Sequence, residues 1–400
     1  MAGIMFEWEN NHEELLKWVG MLANSIRQDS IHSDREGAFV KKQVQLLQES
    51  GFTRLTVPTE FGGNGANLAT MMLAIERLAE ADASTALVMG WHLGIIYALR
   101  ITGAWSDADF YELCDKTVKG EALINACATE PATGSPSRGG VPVTKATKLK
   151  GGYVIQGEKT WATGSPMLSH ILVTAHLPEE DQIGEFLVRK GTPGMRHIKS
   201  WDSMAMRGSG SDTLVFEDMP LPFDALVDQF PPKGHSKRSA YGGGWLLHIP
   251  AVYMGIAKAA RDYVLQFTST YQPNSLQAPI SSLASVRQQL GKIEALLIPA
   301  RHFLYNVAIR YDELPLDERD SLKNEIQLAK HTVTNTAVEI VDLAMRIAGG
   351  HSLLRHAPLE RYYRDVRAGL HNPPMDDVTI LGLADRALKS VQHHAEPNNG

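Results

Sequence analysis

The stretch that decides the fold runs from residue 126 to residue 163. It opens with A-C-A-T-E-P-A-T-G-S over residues 126–135 and closes with G-G-Y-V-I-Q-G-E-K-T-W-A-T over residues 151–163. Two short, hydroxyl-rich turns flank a predicted strand hairpin, at a separation that suits a flat cofactor. Thr129 and Thr163 offer hydrogen-bond donors, Gly134 lets backbone amides approach a ligand, and Trp161 offers an aromatic face. Taken alone, the first turn is more typical of a loop whose hydroxyls bond its own backbone, and the second motif that follows it favours the ligand-binding interpretation.

The segments on either side of this stretch are helical. From residue 11 to about 122 apolar residues recur at helical spacing, with Met71, Ile75 and Leu78 on one side of a helix and Glu76 opposite. Short β-branched or aromatic runs occupy residues 123–228, and helical patterns resume after Trp245. The sequence predicts an α+β multidomain protein with an N-terminal helical domain (1–122), a middle β-barrel-like domain (123–235) and a C-terminal helical bundle (236–400).

Composition narrows the class of protein. The chain has 400 residues, of which 44% are hydrophobic and 21% charged, as in a globular protein. A formal charge of −6 with no basic run argues against nucleic-acid binding. Cys114 and Cys127 lack C-x-x-C spacing, which argues against a disulfide framework or a metal site. The start of the chain is acidic and no apolar run is expected to reach the length needed to cross a membrane, so we expect a cytoplasmic protein with no membrane partner.

Several ordered motifs carry a family resemblance. T-E-P-x-x-G-S (129–135) followed by G-x-K-x-W-x-T (157–163) resembles the flavin-binding middle domain of the acyl-CoA dehydrogenase superfamily. P-T-E-F-G-G (58–63), the M-R-G-S-G-S-D and V-F-E-D segments (206–218), and the late G-G and R-D elements also resemble family motifs. The resemblance covers nearly the whole chain. It implies a flavin between the middle domain and the C-terminal helices, a homotetramer or dimer whose neighbouring subunit completes the cofactor site, and a role in fatty acid metabolism.

The resemblance also implies cofactor-binding residues. Thr129 and Thr163 would hydrogen-bond the polar edge of the flavin ring, Trp161 would pack beside it, and Ser135 would lie near the substrate entrance. Backbone amides beside Ala126 and Ala128 would face the ring, with Gly134 completing the turn. These residues form the predicted ring site.

The phosphate end of the flavin is less well defined by sequence. The family often has an Arg in an R-x-Q-F-G segment, and the corresponding stretch here, residues 273–277, has no cation. Arg346, just before Gly349 and Gly350, can supply that contact through its guanidinium fork. The alternative is a surface Arg paired with Asp342 four residues earlier. The resemblance therefore predicts FAD, with FMN possible.

Both positions at which the family carries its catalytic base lack a carboxylate. Removal of the α-proton of an acyl thioester needs such a base. The usual Glu falls at Pro373, and the alternative position, on an earlier helix, falls at residues 244–247, which contain Trp245. Asp376 and Asp377 can substitute in principle, although acids after Pro-Pro are also typical of a helix start.

His371 is the candidate catalytic residue. Its context, L-H-N-P over residues 370–373, resembles an L-H-D-P segment of flavin monooxygenases that share the fold and lack the Glu. A His with a near-neutral pKa can transfer a proton or orient a substrate. The alternative is a loop or capping His. His92, on an apolar helix, is predicted to be a hydrogen-bonded core residue.

Three functions follow from these patterns. The first is an FAD-dependent oxidoreductase of the acyl-CoA dehydrogenase type, which acts on a small molecule such as an acyl-CoA. The second is a two-component flavin monooxygenase on the same fold, which the Pro373 and His371 positions favour. The third is a flavin-binding protein without catalysis. The sequence does not decide between them, nor whether the substrate contains CoA.

Overall fold

The computed structural model describes residues 12–134 and 139–395, in which a sheet separates two groups of helices along the chain and the helices of the two groups pack on each other. Within the described residues, five α-helices precede the sheet and five follow it. The first five are α1 (Glu13–Glu36), α2 (Lys41–Glu49), α3 (Leu68–Ala79), α4 (Ala83–Thr102) and α5 (Asp107–Val118). The last five are α6 (His248–Thr270), α7 (Ala284–Glu313), α8 (Lys323–Ala348), α9 (Pro358–Val366) and α10 (Asp376–Ala395).

In the described part of the chain, eight strands form one mixed sheet, which lies between the two groups of helices in sequence. They are β1 (Ile124–Cys127), β2 (Lys145–Leu149), β3 (Gly152–Ala162), β4 (His170–Leu177), β5 (Gln182–Arg189), β6 (Met195–Ile198), β7 (Asp212–Leu221) and β8 (Leu226–Phe230). The order is β6-β7-β3-β2-β4-β5-β8, and β1 pairs in parallel with β4. The predicted helix–sheet–helix architecture is confirmed, while the domain limits at residues 122 and 235 remain predictions.

The register between β3 and β7 positions the predicted ring site. Ala162 at the end of β3 pairs with Asp212 at the start of β7. The residues just beyond this pair, Thr163 and Ser211, therefore lie side by side at one end of the sheet. The Cα pairing thus joins two motifs that are 48 residues apart in the chain.

Helix α3 corrects one expectation from the helical pattern. Glu76, which the pattern places opposite the apolar side, is 1% exposed. Its carboxylate accepts hydrogen bonds from Arg301 and Tyr305 of α7 and from Lys258 of α6. Burial favours the protonated carboxyl, but the two cations outweigh it and hold the pKa of Glu76 at about 2. Helix α3 is buried on both sides because α6 and α7 supply its counter-charges.

Helix α4 lies at the centre of the molecule. Its 20 residues are long and apolar enough to cross a membrane by length and composition, so the sequence expectation that no run reaches that length is wrong. The helix is, however, 78% buried inside the protein. It packs against α6, β1 and the 207–209 turn. His92 on this helix donates to the Thr53 carbonyl and accepts from the Ile124 amide, and burial lowers its pKa to about 4, so the predicted core role is confirmed.

Candidate flavin site

A buried ion pair holds the turn that carries Thr129. Glu130 Oε1 lies 2.6 Å from Lys159 Nζ, and the two side chains are 3% and 0% exposed. The amides of Val143 and Thr144 also donate to the Glu130 carboxylate. Burial favours a protonated Glu130, but these hydrogen bonds and the Lys159 charge hold the pKa of Glu130 at about 2. The T-E-P turn and the G-E-K-T-W strand are therefore fixed to each other by charge.

The turn itself leaves one hydroxyl for a ligand. The Thr129 carbonyl accepts from the Thr160 amide at 2.9 Å, whereas the half-buried Thr129 hydroxyl has no hydrogen-bond partner in the described part of the chain. The Gly134 amide closes the turn by donating to the Glu130 carbonyl at 2.8 Å. Gly134 has a φ of 70°, and a Cβ at this residue meets no atom within 4 Å. The side of the turn at Gly134 thus faces open space.

Trp161 presents its indole to solvent. The side chain is 61% exposed, and its ring lies edge-on to Trp201 with a centroid separation of 5.1 Å. The backbone at Trp161 has a φ of 59°, a left-handed conformation that few large residues adopt. Trp201 is held in turn by hydrogen bonds from its amide to Asp212 and from its indole nitrogen to the Met206 carbonyl. A large exposed apolar ring in a fixed orientation fits the flat face of a flavin.

Thr163 belongs to a short chain of buried hydroxyls. Its Oγ1 lies 2.9 Å from Ser211 Oγ, which lies 2.8 Å from Ser209 Oγ. The Thr163 carbonyl accepts a hydrogen bond from the side-chain amide of Asn125 at 2.9 Å. A hydroxyl that bonds one neighbour retains a further donor or acceptor position. Thr163 can therefore bond Ser211 and a ring atom at the same time.

The 206–212 loop connects this end of the sheet to the C-terminal helices. Asp365 of α9 accepts from the Met206 amide at 2.6 Å, and the neighbouring Arg364 donates to the Met204 carbonyl. Burial raises the pKa of Asp365 to about 7, because it outweighs the attraction of the Arg361 guanidinium. The M-R-G-S-G-S-D segment (206–212) and the late R-D element (364–365) are therefore in contact, and the contact is made by the Asp365 carboxyl, whose pKa lies near neutral.

His371 ends the turn that follows α9. Its side chain is exposed and makes no hydrogen bond or ion pair within the described residues. The next residue, Asn372, accepts from the Tyr253 hydroxyl of α6, and this contact fixes the turn. Asp376, by contrast, is engaged with Lys330, His331 and Asn335 at the start of α10. The helix-start interpretation of Asp376 is therefore favoured over a catalytic one.

The second position without a base is filled by aromatic rings. Trp245 is 4% exposed and stacks on His248 with a centroid separation of 5.9 Å, and Trp91 of α4 lies edge-on to both. Gly90 and Gly94 admit these rings, since a Cβ at either would meet His248 within about 3 Å. Burial lowers the pKa of His248 to about 4, so its imidazole is neutral at pH 7.

Arg346 lies at the end of α8, which packs mainly on α6, α7 and α9. The proposed pairing with Asp342 is wrong, because Asp342 pairs with Arg367 at 3.0 Å. Arg346 is exposed and has no ion-pair partner within the described residues. Gly349 and Gly350 are also exposed, and a Cβ at either meets nothing within 4 Å. These three residues form an open, positively charged helix end, apart from the turns around Trp161.

The structure brings six predicted ring-site residues to one end of the sheet, namely Ala126, Ala128, Thr129, Gly134, Trp161 and Thr163. Ser135 lies outside the described residues. Sequence reasoning missed the supporting contacts of Lys159, Ser211, Trp201 and Asp365. The Glu of the T-E-P motif and the Lys of the G-E-K motif have opposite charges, and this could have predicted the Glu130–Lys159 ion pair from the sequence. No group of three metal-binding side chains occurs in residues 12–134 and 139–395.

Comparison with known proteins assigns the family. Models of the acyl-CoA dehydrogenase N-terminal, middle and C-terminal domains match residues 10–104, 125–219 and 247–372. The "Putative acyl-CoA dehydrogenase YdbM" of Bacillus subtilis (strain 168) is 45% identical over 386 residues, which cover 96% of this chain and 100% of that protein. The chain belongs to the acyl-CoA dehydrogenase family. As a family member it is a flavin-dependent oxidoreductase.

Other relatives of this acyl-CoA dehydrogenase family member carry different names. L-evernosamine nitrososynthase of a Micromonospora species is 28% identical, over 92% of this chain and 89% of that one. A solved structure of KijD3 with FMN and a dTDP-linked amino keto sugar superposes with a TM-score of 0.83 at 25% identity, over 100% of this chain and 97% of that one. The family thus includes relatives whose names describe reactions other than acyl-CoA dehydrogenation.

Proposed function

We propose that the protein is a flavin-dependent monooxygenase on the acyl-CoA dehydrogenase fold, supplied with reduced flavin by a separate reductase. The observation that carries this proposal is the chemistry at the two base positions. Pro373 has no ionisable group, and Trp245 fills the second position with a buried indole. Removal of an α-proton from an acyl thioester needs a positioned base, and neither of these positions supplies one. The similarity to a nitrososynthase and to KijD3 gives further support.

The ring site fits a flavin. The exposed Trp161 indole offers a stacking face, the Thr129 hydroxyl is free to bond a polar ring atom, and Thr163 retains a bonding position. A reduced flavin supplies two electrons to O2, so that one oxygen atom enters the substrate and the other leaves as water. His371 is the residue that we assign to the accompanying proton transfer, since it is exposed and has no hydrogen-bond or ion-pair partner within the described residues. An imidazole can both donate and accept a proton.

An acyl-CoA dehydrogenase remains the second candidate, and the 45% identity to YdbM is the observation that favours it. In that case the oxidation of an acyl thioester would transfer two electrons to FAD and one proton to a protein base. His371 is the candidate for this role as well, because Asp376 is engaged by Lys330. The two functions therefore differ in substrate and in electron flow, and a role in fatty acid metabolism belongs only to the second.

We also propose that a neighbouring subunit completes the cofactor site in a homo-oligomer. Arg346, Gly349 and Gly350 form an open cationic end on α8, away from the Trp161 turn of the same chain. A guanidinium without a carboxylate partner is suited to a phosphate group. We therefore favour FAD, whose diphosphate would reach the partner's Arg346, over FMN. The two buried free thiols, Cys114 and Cys127, agree with a reducing, cytoplasmic location.

One experiment separates the two reactions. The flavin-loaded protein is mixed with a panel of acyl-CoAs without oxygen, and the visible flavin absorbance is followed. Bleaching would refute the monooxygenase and support the dehydrogenase. If the acyl-CoAs leave the spectrum unchanged, reduced flavin and oxygen are added with candidate small molecules, and an oxygenated product supports the proposal. A protein that takes up neither FAD nor FMN would refute both functions.

A matched pair of variants tests His371. His371→Ala is expected to abolish product formation while flavin affinity stays within about twofold of the parent value, because the side chain contacts none of the ring-site residues. His32→Ala, which removes an exposed His on α1, is the control and is expected to retain activity. Equal loss of flavin binding and activity in His371→Ala would assign a structural role instead.

A further inference from the structure

A large cavity lies between α1 and the helices α6, α7 and α9. Its volume is about 1550 Å³, which exceeds the roughly 300–1,000 Å³ of ordinary small-molecule pockets. None of the predicted ring-site residues lines it, and neither do Arg346, Gly349 or Gly350. The cavity is therefore separate from both parts of the proposed flavin site.

The lining of this cavity is positively charged. Nine Lys or Arg side chains line it against six carboxylates, whereas the whole chain carries a formal charge of −6. Positive charge concentrated in a concave site of an acidic protein attracts anions, because the walls exclude solvent and focus the field. The charge distribution thus points to an anionic ligand.

Ion pairs account for all the carboxylates of the lining and leave some of its cationic side chains without a carboxylate partner. Each lining carboxylate already has a cationic partner, as Asp34 and Glu360 do with Arg364 and as Glu80 does with Lys258. The remaining three carboxylates pair with Lys17 or Arg261. Every acid in the lining is therefore neutralised by cations that are not free to bind a ligand.

Four arginines of the lining have no carboxylate partner within 4 Å in the described part of the chain. Arg27 and Arg35 lie on α1, Arg355 precedes α9, and Arg361 lies on α9. Arg35 donates to the backbone carbonyl of Arg355 at 3.5 Å, which places the Arg35 guanidinium beside the Arg355 backbone. The Asp34–Arg364 pair holds α1 against α9 there. Arg35, Arg355 and Arg361 thus lie near the junction of α1 and α9, while Arg27 lines the cavity about two turns earlier on α1.

Arg361 is the strongest indication of a ligand. Its side chain is buried, at 7% exposure, and Nη2 donates to the Ala81 carbonyl at 3.0 Å. Its Nη1 is buried and has no hydrogen-bond partner. A buried cationic N–H without an acceptor is costly. An anion in the cavity would supply the acceptor.

We infer that this cavity binds a phosphate-bearing small molecule of nucleotide size. Guanidinium groups match the planar, bidentate geometry of phosphate oxygens, and several arginines in one lining suit more than one negative charge. The half-buried Tyr263 lies in the same lining and offers an aromatic face to a base. The site is separate from the flavin site and extends the proposed function.

Calorimetric titration tests this inference on the full-length, flavin-saturated protein, with inorganic pyrophosphate and ADP as probes. Saturable binding that leaves the flavin in place is expected. Tighter binding of ADP would identify a nucleotide, and equal affinities would indicate recognition of the phosphates alone. Failure of both probes to saturate at millimolar concentration, or release of the flavin by either, would overturn the inference.

Two single variants locate the site. Arg27→Gln and Arg355→Gln are each expected to weaken binding about tenfold. Arg27 is half-buried and Arg355 exposed, so both variants are expected to fold, which circular dichroism checks. Arg196→Gln, which removes an exposed Arg paired with Glu217 on the sheet, is the control and should bind as the parent does. Equal affinity in all three variants would also overturn the inference.

Discussion

The buried Glu130–Lys159 pair gives the sharpest test of how the flavin turn is held. In Lys159→Met the side chain keeps its length and loses its charge, and the Glu130 carboxylate remains buried. Removal of one partner of a buried ion pair costs about 3–5 kcal/mol in the free energy of unfolding. Three hydrogen bonds to Glu130 survive, from the Val143 and Thr144 amides and the Thr133 hydroxyl. We therefore expect a loss of about 3 kcal/mol, at the low end of that range.

The pH dependence of this loss follows from the pKa of Glu130. In the parent the pKa is held at about 2, so the pair stabilises the fold above the ordinary value of 4.5, and this contribution is lost as the pH falls towards 2. Without Lys159, burial is expected to raise the pKa of Glu130 towards or above its ordinary value. Protonation then relieves the buried charge. The loss of unfolding free energy is expected to be smaller at pH 5 than at pH 8.

Urea unfolding, followed by far-ultraviolet circular dichroism at the two pH values, measures both effects. Lys116→Met is the matched control, because Lys116 and Glu112 are also 2.6 Å apart but are 37% and 35% exposed. Such partly exposed pairs contribute about 0–1 kcal/mol. The reasoning is refuted if Lys159→Met costs no more than Lys116→Met. A loss that is equal at pH 5 and pH 8 would contradict the charge argument specifically.

Two further changes probe the ring site. Trp161→Ala is expected to weaken flavin binding about tenfold and to change the unfolding free energy by less than about 0.5 kcal/mol, since the indole is 61% exposed; flavin fluorescence titration, with Tyr111→Ala as the exposed control, checks this. Asp365→Asn removes a carboxyl whose pKa is raised to about 7, which stabilises the fold fully below pH 3.8 and progressively less as the pH rises to 7. The variant should therefore gain stability relative to the parent between pH 5 and pH 8 in urea titrations, and a constant difference would contradict the assignment.

The parts of the site that the sequence predicted were those encoded by neighbouring residues. Trp161 lies near the end of β3 and Thr163 directly follows that strand, and Gly134 and the hydroxyl residues beside it are typical of a turn. The hydrogen bond between Thr163 and Ser211 was not predictable from the sequence, because it depends on the register in which β3 pairs with β7. The Asp365–Met206 contact depends likewise on how α9 packs against the 206–212 loop. Contacts of this kind require the tertiary fold.

Predictions from helical spacing also failed where they depended on residues from other helices. From the helical pattern, Glu76 on α3 is expected to face solvent. Its carboxylate can be buried because Arg301 and Lys258, which lie on helices distant in the sequence, form ion pairs with it. The pairing expected between Arg346 and Asp342 followed from helical spacing, but Arg367 of the next segment takes Asp342 instead. Spacing within a helix indicates which ion pairs are possible, and the packing of the helices determines which of these ion pairs form.

The burial of α4 has a consequence for how the chain can be divided. This helix is apolar on all sides and is covered by α6, β1 and the 207–209 turn, each contributed by a different part of the sequence. A fragment that ends at residue 122 would keep the packing of α4 on α3 but would expose the apolar sides that α6, β1 and the 207–209 turn cover, and such surfaces associate with one another. The predicted boundary near residue 122 separates stretches of different secondary structure, and we expect the N-terminal, middle and C-terminal parts to unfold together because their contacts cross it. Fragments of this protein are expected to be insoluble when expressed apart and to recover solubility when they are produced together.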